Sequence, residues 1–168
     1  MHEHSKKKET YKETYIIDDV YALPEGERAE LIDGQIYYLT PLSRTHQKFN
    51  GFSSRTIVNY IESNNGECEV YAAPFAVFLN NDDVNYVGPD ISVISDPSKL
   101  DEKGCHGATD WIIEFVSPGS KQMDYYKKML KYSTAGVREY WIVDFERNRI
   151  TVYDFQRDSF RRISDLYL

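Results

Sequence analysis

Apolar runs separated by turn-forming residues divide the chain into short elements. Residues 16–23 (IIDDVYAL) predict a brief helix that ends before Pro24, because a proline disfavours helical backbone in the residue before it. The stretch 28–39, RAELIDGQIYYL, sets Asp33-Gly34 between two apolar-rich arms. It predicts a β-hairpin, since a type I′ turn needs positive φ at both central positions. A cap at Ser43 or Thr45 then opens a long helix running to about Ile61. Phe49, Phe52, Val58 and Ile61 recur along it at near-helical spacing, and Asn64-Asn65-Gly66 stops it.

Three β-rich pieces follow at 68–73, 75–79 and 90–95, with Asn80-Asn81-Asp82-Asp83 turning between the last two. Residues 96–109 read as a loop with room for a helical turn. The run 110–116, DWIIEFV, is β-branched and aromatic and predicts a central strand, broken by Ser117-Pro118-Gly119-Ser120. Residues 121–135 then predict a helix with Met123, Tyr126 and Leu130 on one apolar stripe and Gly136 as its stop. Two further strands, 139–144 and 149–155, turn through Glu146-Arg147-Asn148. This order implies an α/β or α+β sheet with helices packed on it. No repeat or low-complexity linker divides the chain, so 16–168 reads as one domain behind a polar arm, 1–15.

Composition narrows the function. At 168 residues the chain is long enough to bury a core. It has no apolar run of about 18 residues that could span a membrane. The polar N-terminus lacks the apolar core of a secretory signal, so a cytoplasmic location is expected. Cys68 and Cys105 have no metal-type spacing and read as reduced thiols. A net charge of −7 argues against nonspecific coating of nucleic acid, which needs Lys and Arg to neutralise phosphates. Lys121, Lys127, Lys128, Lys131 and Arg138, against Asp124 alone, make 121–138 either a local nucleic-acid footprint or a solvated helix face.

Glu114 is the anomaly. On a strand it shares a face with Ile112 and Val116, while Trp111, Ile113 and Phe115 face the other way. An ionised carboxylate there costs several kcal/mol unless something holds it. Asp90, opening its own strand after Gly88-Pro89, is a natural companion, and two carboxylates with few histidines favour Mg²⁺ or Mn²⁺ over Zn²⁺. The residues alone leave other readings open: a Gly-Pro-Asp turn, a Glu114 paired with a lysine, and an Asp124–Lys128 pair at i, i+4 that only supports its helix. His46 suits either capping and packing or a phosphate contact. Cys105-His106 lacks two further ligands for zinc. Ser117 and Ser120 lie outside any G-x-S-x-G turn and suit a helix cap.

The segments 89-PD-90, 114-EFVS-117, 124-DYYKKMLKY-132 and 136-GVREYWIVD-144, with 30-ELIDGQIYYLTPLSRTH-46 upstream, resemble the Uma-two (Uma2) family of bacterial restriction endonucleases over roughly 16–155. That family has the PD-(D/E)XK nuclease fold. The resemblance implies a restriction endonuclease-like mixed sheet flanked by helices, an αβββαβ core with an N-terminal β-hairpin. It further implies a Mg²⁺- or Mn²⁺-dependent endonuclease acting on DNA. Asp90 and Glu114 would hold the metal with the backbone carbonyl of Phe115, and Glu30 would add a third carboxylate. His46, Asp124 and Ser117 would stand around them. Val116 occupies the motif's lysine position, so the resemblance assigns that role to Lys128 on the following helix. If the Met123–Tyr126–Leu130 stripe is the buried one, Lys128 lies a third to half a turn away and reaches the site only from the helix flank. Two-strand cleavage would call for a homodimer. A catalytically silent protein that keeps the fold for binding nucleic acid or a protein is the alternative.

Overall fold

The Asp33-Gly34 turn forms as its chemistry requires, with φ of 50° and 73°. It closes an antiparallel hairpin of β1 (Ala29–Ile32) and β2 (Gln35–Tyr38), Ile32 facing Gln35. The computed structural model describes residues 12–157 and 159–164, so most of the expected polar arm, residues 1–11, lies outside the described residues. The short helix α1 (Ile17–Tyr21) precedes the hairpin, and the Asp19 carboxylate accepts the Ile16 N–H at its start. Leu31 exchanges two backbone hydrogen bonds with Tyr86, which ties β1 to the segment leading towards Asp90.

Helix α2 (Arg44–Ser63) begins with the Ser43 hydroxyl accepting the His46 N–H. It ends where Asn65 turns to φ 53° and the Gly66 N–H reaches back to Ile61. Phe49 and Ile57 pack it against Ile113, Phe115 and Val143. Phe52 does not belong to that face, being 57% exposed. The buried side of α2 carries His46 and Asn50 instead, polar residues that an apolar count passes over.

Among the described residues nine strands follow: β3 (Glu69–Ala72), β4 (Val77–Phe78), β5 (Ile91–Ile94), β6 (Leu100–Asp101), β7 (Gly104–His106), β8 (Trp111–Phe115), β9 (Glu139–Asp144), β10 (Arg149–Asp154) and β11 (Ser159–Ser164). Six of them form the main sheet in the order β11-β10-β9-β8-β5-β3, with β8 at its centre as expected. Within this sheet only the β8–β9 pair is parallel among the described residues, and a parallel pair needs a crossover, which the helix between them supplies. The region 96–109 is more than a loop. After a 3-10 turn at Pro97–Lys99, β6 and β7 join β4 in a small second sheet. Gly104 permits this, with φ 147° and the Ala76 carbonyl packed where a Cβ would stand. The edge strand β11 lies beyond the elements read from the sequence.

The crossover helix departs from expectation in which face it buries. A π-helical turn (Met123–Lys128) runs into α3 (Met129–Ala135), and Gly136 ends it at φ 95°. Tyr126 and Leu130 are 70% and 62% exposed, so two of the three residues of the predicted stripe point outward, and only Met123 of the three packs against the core. Asp124, Lys128, Lys131 and Tyr132 are buried instead. On an ideal α-helix, residues 124 and 132 would drift about 80° apart. The wider i→i+5 turn takes back part of that drift, and π-turns of this kind occur often at functional sites.

The two faces of β8 meet different layers. Ile112 and Val116 join Tyr132, Tyr140 and Ile142 beneath the crossover helix, and Ile113 and Phe115 face α2. Glu114 lies on the crossover-helix side, as strand alternation requires. Among the described residues no helix is long and apolar enough to cross a membrane.

Candidate active site

Strand pairing brings the two carboxylates together. β5 runs antiparallel to β8 with Ile91 opposite Ile113 and Ser92 opposite Ile112. One step further, Asp90 falls opposite Glu114, and cross-strand partners share a face. Pro89 has no N–H to continue the ladder. The Asp90 side chain continues it instead, its Oδ2 accepting the Phe115 N–H at 2.8 Å. His46 Nε2 meets the same oxygen at 3.0 Å. Against an ionised Asp90, which only accepts, the ring would carry its proton on Nε2. The ring also lies edge-on to Phe115, and Asn50 binds the Asp90 carbonyl.

Glu114 is held from the crossover helix. Lys128 Nζ donates to its Oε1 at 2.9 Å, and the Tyr132 hydroxyl donates to the same oxygen at 2.8 Å. Lys128 also pairs with Glu30 at 2.9 Å and lies 3.9 Å from Asp124. Glu30 arrives on β1 and accepts the Gly88 N–H. The hairpin is fixed to the helix twice more, through Lys131 to Asp33 and through Lys127 to the Tyr37 ring and hydroxyl.

All five charged groups are nearly enclosed: Glu30 2%, Asp90 7%, Glu114 4%, Asp124 3% and Lys128 5% exposed. They line the floor of a cleft of about 560 Å³ together with His46, Phe115, Ser117 and Ser120. Three carboxylates, Glu30, Glu114 and Asp124, thus surround one ammonium, and Asp90 stands across the β5–β8 strand pair from Glu114. Burial, and then Asp90, Asp124 and Glu30, push Glu114 well above the usual carboxylate range, with Lys128 opposing them. Burial likewise raises Asp124 to about 6. Burial pulls Lys128 down, but Glu114, Glu30 and Asp124 more than offset it, so the amine stays an ammonium.

The sequence-derived set Asp90, Glu114, Lys128, Glu30, His46, Asp124 and Ser117 therefore converges on one cleft. Lys128 needs no flank approach, because its side of the helix is the buried one. Ser117 closes the turn before the helix, its N–H going to the Ser120 hydroxyl. Tyr132 was absent from that set, although its place four residues after Lys128 puts both on one helix face.

Whether a divalent cation fits can be judged from the donors. Among the described residues, no three His, Cys, Asp or Glu side chains are gathered as a ready metal cage. Lys128 separates Glu30 from Glu114 by binding both. What remains suits Mg²⁺, which commonly takes one or two carboxylates and keeps several waters. The protein's hydrogen bonds to Asp90 fall on Oδ2 and those to Glu114 on Oε1. Each carboxylate keeps its second oxygen without a protein donor among the described residues, in a cleft whose acidic groups outnumber its buried ammonium. The donor set fits a hard divalent cation.

Comparison with known proteins agrees with this architecture. The structure resembles the crystal structure of a protein titled a putative nuclease belonging to DUF820 from Anabaena variabilis, with a TM-score of 0.72 and 22% identity over 89% of this chain and 84% of that one. An uncharacterized protein of Synechocystis sp. is 28% identical over 138 residues, covering 80% of this chain and 70% of the relative. The Uma2 profile, described as "Putative restriction endonuclease", matches residues 17–164, which takes in the hairpin, the sheet and the crossover helix. The chain belongs to the Uma2 family.

Proposed function

We propose that the protein is a divalent-metal-dependent endonuclease that hydrolyses DNA phosphodiesters in this cleft. The observation that carries the reading is the split use of the two carboxylates. One oxygen of Asp90 and one of Glu114 are fixed by protein donors, and the other of each has no protein donor among the described residues, which leaves it available to a cation. Asp90, Glu114 and the Phe115 carbonyl would hold Mg²⁺ or Mn²⁺. When bound, that ion supplies positive charge to a phosphate oxygen and makes water a better nucleophile.

The chain's own residues divide the remaining work. Lys128 is held as an ammonium by three carboxylates, so it stabilises charge on the phosphate or orients water and does not act as a base. Glu30 fixes the lysine's position from the hairpin. His46 and the Phe115 N–H fix Asp90. The near-complete burial of these groups strengthens each of these interactions relative to water. Cleavage of both strands would engage two copies of the chain.

The experiment is nicking of supercoiled DNA with Mg²⁺ or Mn²⁺, comparing the protein with Asp90→Asn. Metal-dependent nicking that the substitution abolishes is expected. Nicking that survives it would place the chemistry elsewhere. DNA binding without cleavage under any divalent metal would favour a silent binding protein, a reading that the retained acidic floor does not suggest.

A further inference from the structure

We propose that Tyr132 is a positioning residue for the divalent cation, its hydroxyl locking Glu114 by one oxygen so that the other is presented to the metal. The inference rests on the metal reading above and adds to it a residue outside the proposed ligands.

Tyr132 is fully buried, among Ile112, Val137 and Ile142, with its ring edge-on to Tyr140 at 4.9 Å. Phenylalanine would serve that packing, and a buried hydroxyl is costly unless it is bonded. Its hydrogen-bond partner is Glu114 Oε1 at 2.8 Å. A phenol carries its proton at neutral pH and so donates here.

Lys128 donates to that same oxygen. Two donors at one oxygen position fix the orientation of the Glu114 carboxylate about Cγ–Cδ, because turning its plane away would break both bonds, and a half turn only exchanges two identical oxygens. The two donors differ in kind. Lys128 is shared with Glu30 and sits on a flexible stem, so it can follow either partner. The tyrosine ring has few torsions and is gripped by the core, so its hydroxyl defines a fixed point. Partners that orient a metal ligand commonly change metal affinity 10- to 100-fold when removed.

Tyr140 supplies the matched control. It is equally buried, touches Tyr132, and donates its hydroxyl to the Asp124 backbone carbonyl and not to a carboxylate. Mn²⁺ dissociation constants would be measured on the full chain by electron paramagnetic resonance, without DNA, for the wild type, Tyr132→Phe and Tyr140→Phe, with thermal unfolding alongside. Each substitution removes one oxygen and keeps the ring. Tyr132→Phe is expected to weaken Mn²⁺ by about tenfold or more, and Tyr140→Phe to leave it within about twofold even where it unfolds as readily. Unchanged affinity in Tyr132→Phe, or equal weakening in both variants, overturns the assignment while leaving the metal site standing. A wild type that binds no Mn²⁺ overturns the metal reading and the assignment with it.

Discussion

Lys128 and Glu30 stand 98 residues apart in the chain and form an ion pair at 2.9 Å, both almost completely buried. The pair joins the hairpin to the crossover helix at the point where the cleft closes. Removing the lysine would leave Glu30 and Glu114 buried against each other. Truncating one partner of a buried pair costs about 3–5 kcal/mol. Lys128→Met should therefore destabilise the protein by about that amount in urea unfolding. Lys131→Ala should cost about 1 kcal/mol or less, because its partner Asp33 is largely hydrated. Equal losses in the two variants would contradict the distinction.

The pH dependence of stability has a definite sign at Asp124. In the folded protein Asp124 keeps its proton to about pH 6, and in the unfolded chain only to about its ordinary 3.8. Between those values the native state binds more protons, so this group's contribution to stability falls as pH rises. One such proton gives a slope of at most about 1.4 kcal/mol per pH unit. Asp124→Asn should gain on the wild type between pH 4 and pH 6.5 when both are unfolded in urea at each pH. Parallel curves would show that Asp124 does not carry the shifted proton.

Divalent metal should stabilise the wild type and not Glu114→Gln. A ligand at 100 times its dissociation constant adds about 2.7 kcal/mol to unfolding. Titration of Mg²⁺ and Mn²⁺ against the melting temperature tests this without DNA. Glu114→Gln should also start from a different baseline, since it removes one of the three carboxylates that share Lys128. Equal metal-induced shifts in the two proteins would contradict the placement of the cation.

Gly104→Ala should cost more than its distance from the carboxylates suggests. Its φ of 147° and the Ala76 carbonyl both oppose a side chain, and that carbonyl accepts the Cys105 N–H. Backbone strain of this kind costs about 1–3 kcal/mol. Thermal unfolding checks it, and a neutral result would mean that the small sheet shifts freely.

The parts of the fold legible in the sequence were those specified by local chemistry. Asp33-Gly34, the Ser43 cap and Gly136 each answer to a backbone requirement within a few residues, and each is where the sequence puts it. The face of the crossover helix was not legible from periodicity. Counting Met123, Tyr126 and Leu130 assumes that apolar groups go inward, but of the three only Met123 packs on the core, and the helix side facing β8 carries an ion cluster completed by strands far away in the chain. Asp124 and Lys128 look like a solvated pair until Glu30 and Glu114 are set opposite them. Family resemblance singled out Lys128 as a candidate, and only coordinates could supply the partner of Tyr132.

The hydrogen bond from the Phe115 amide to Asp90 Oδ2 replaces a rung of the sheet with a side chain. That amide is consequently a spectroscopic witness inside the β-ladder. Its chemical shift and hydrogen-exchange rate should follow the charge state of Asp90. A single resonance on the central strand can then report occupancy of the cleft without an assay of activity.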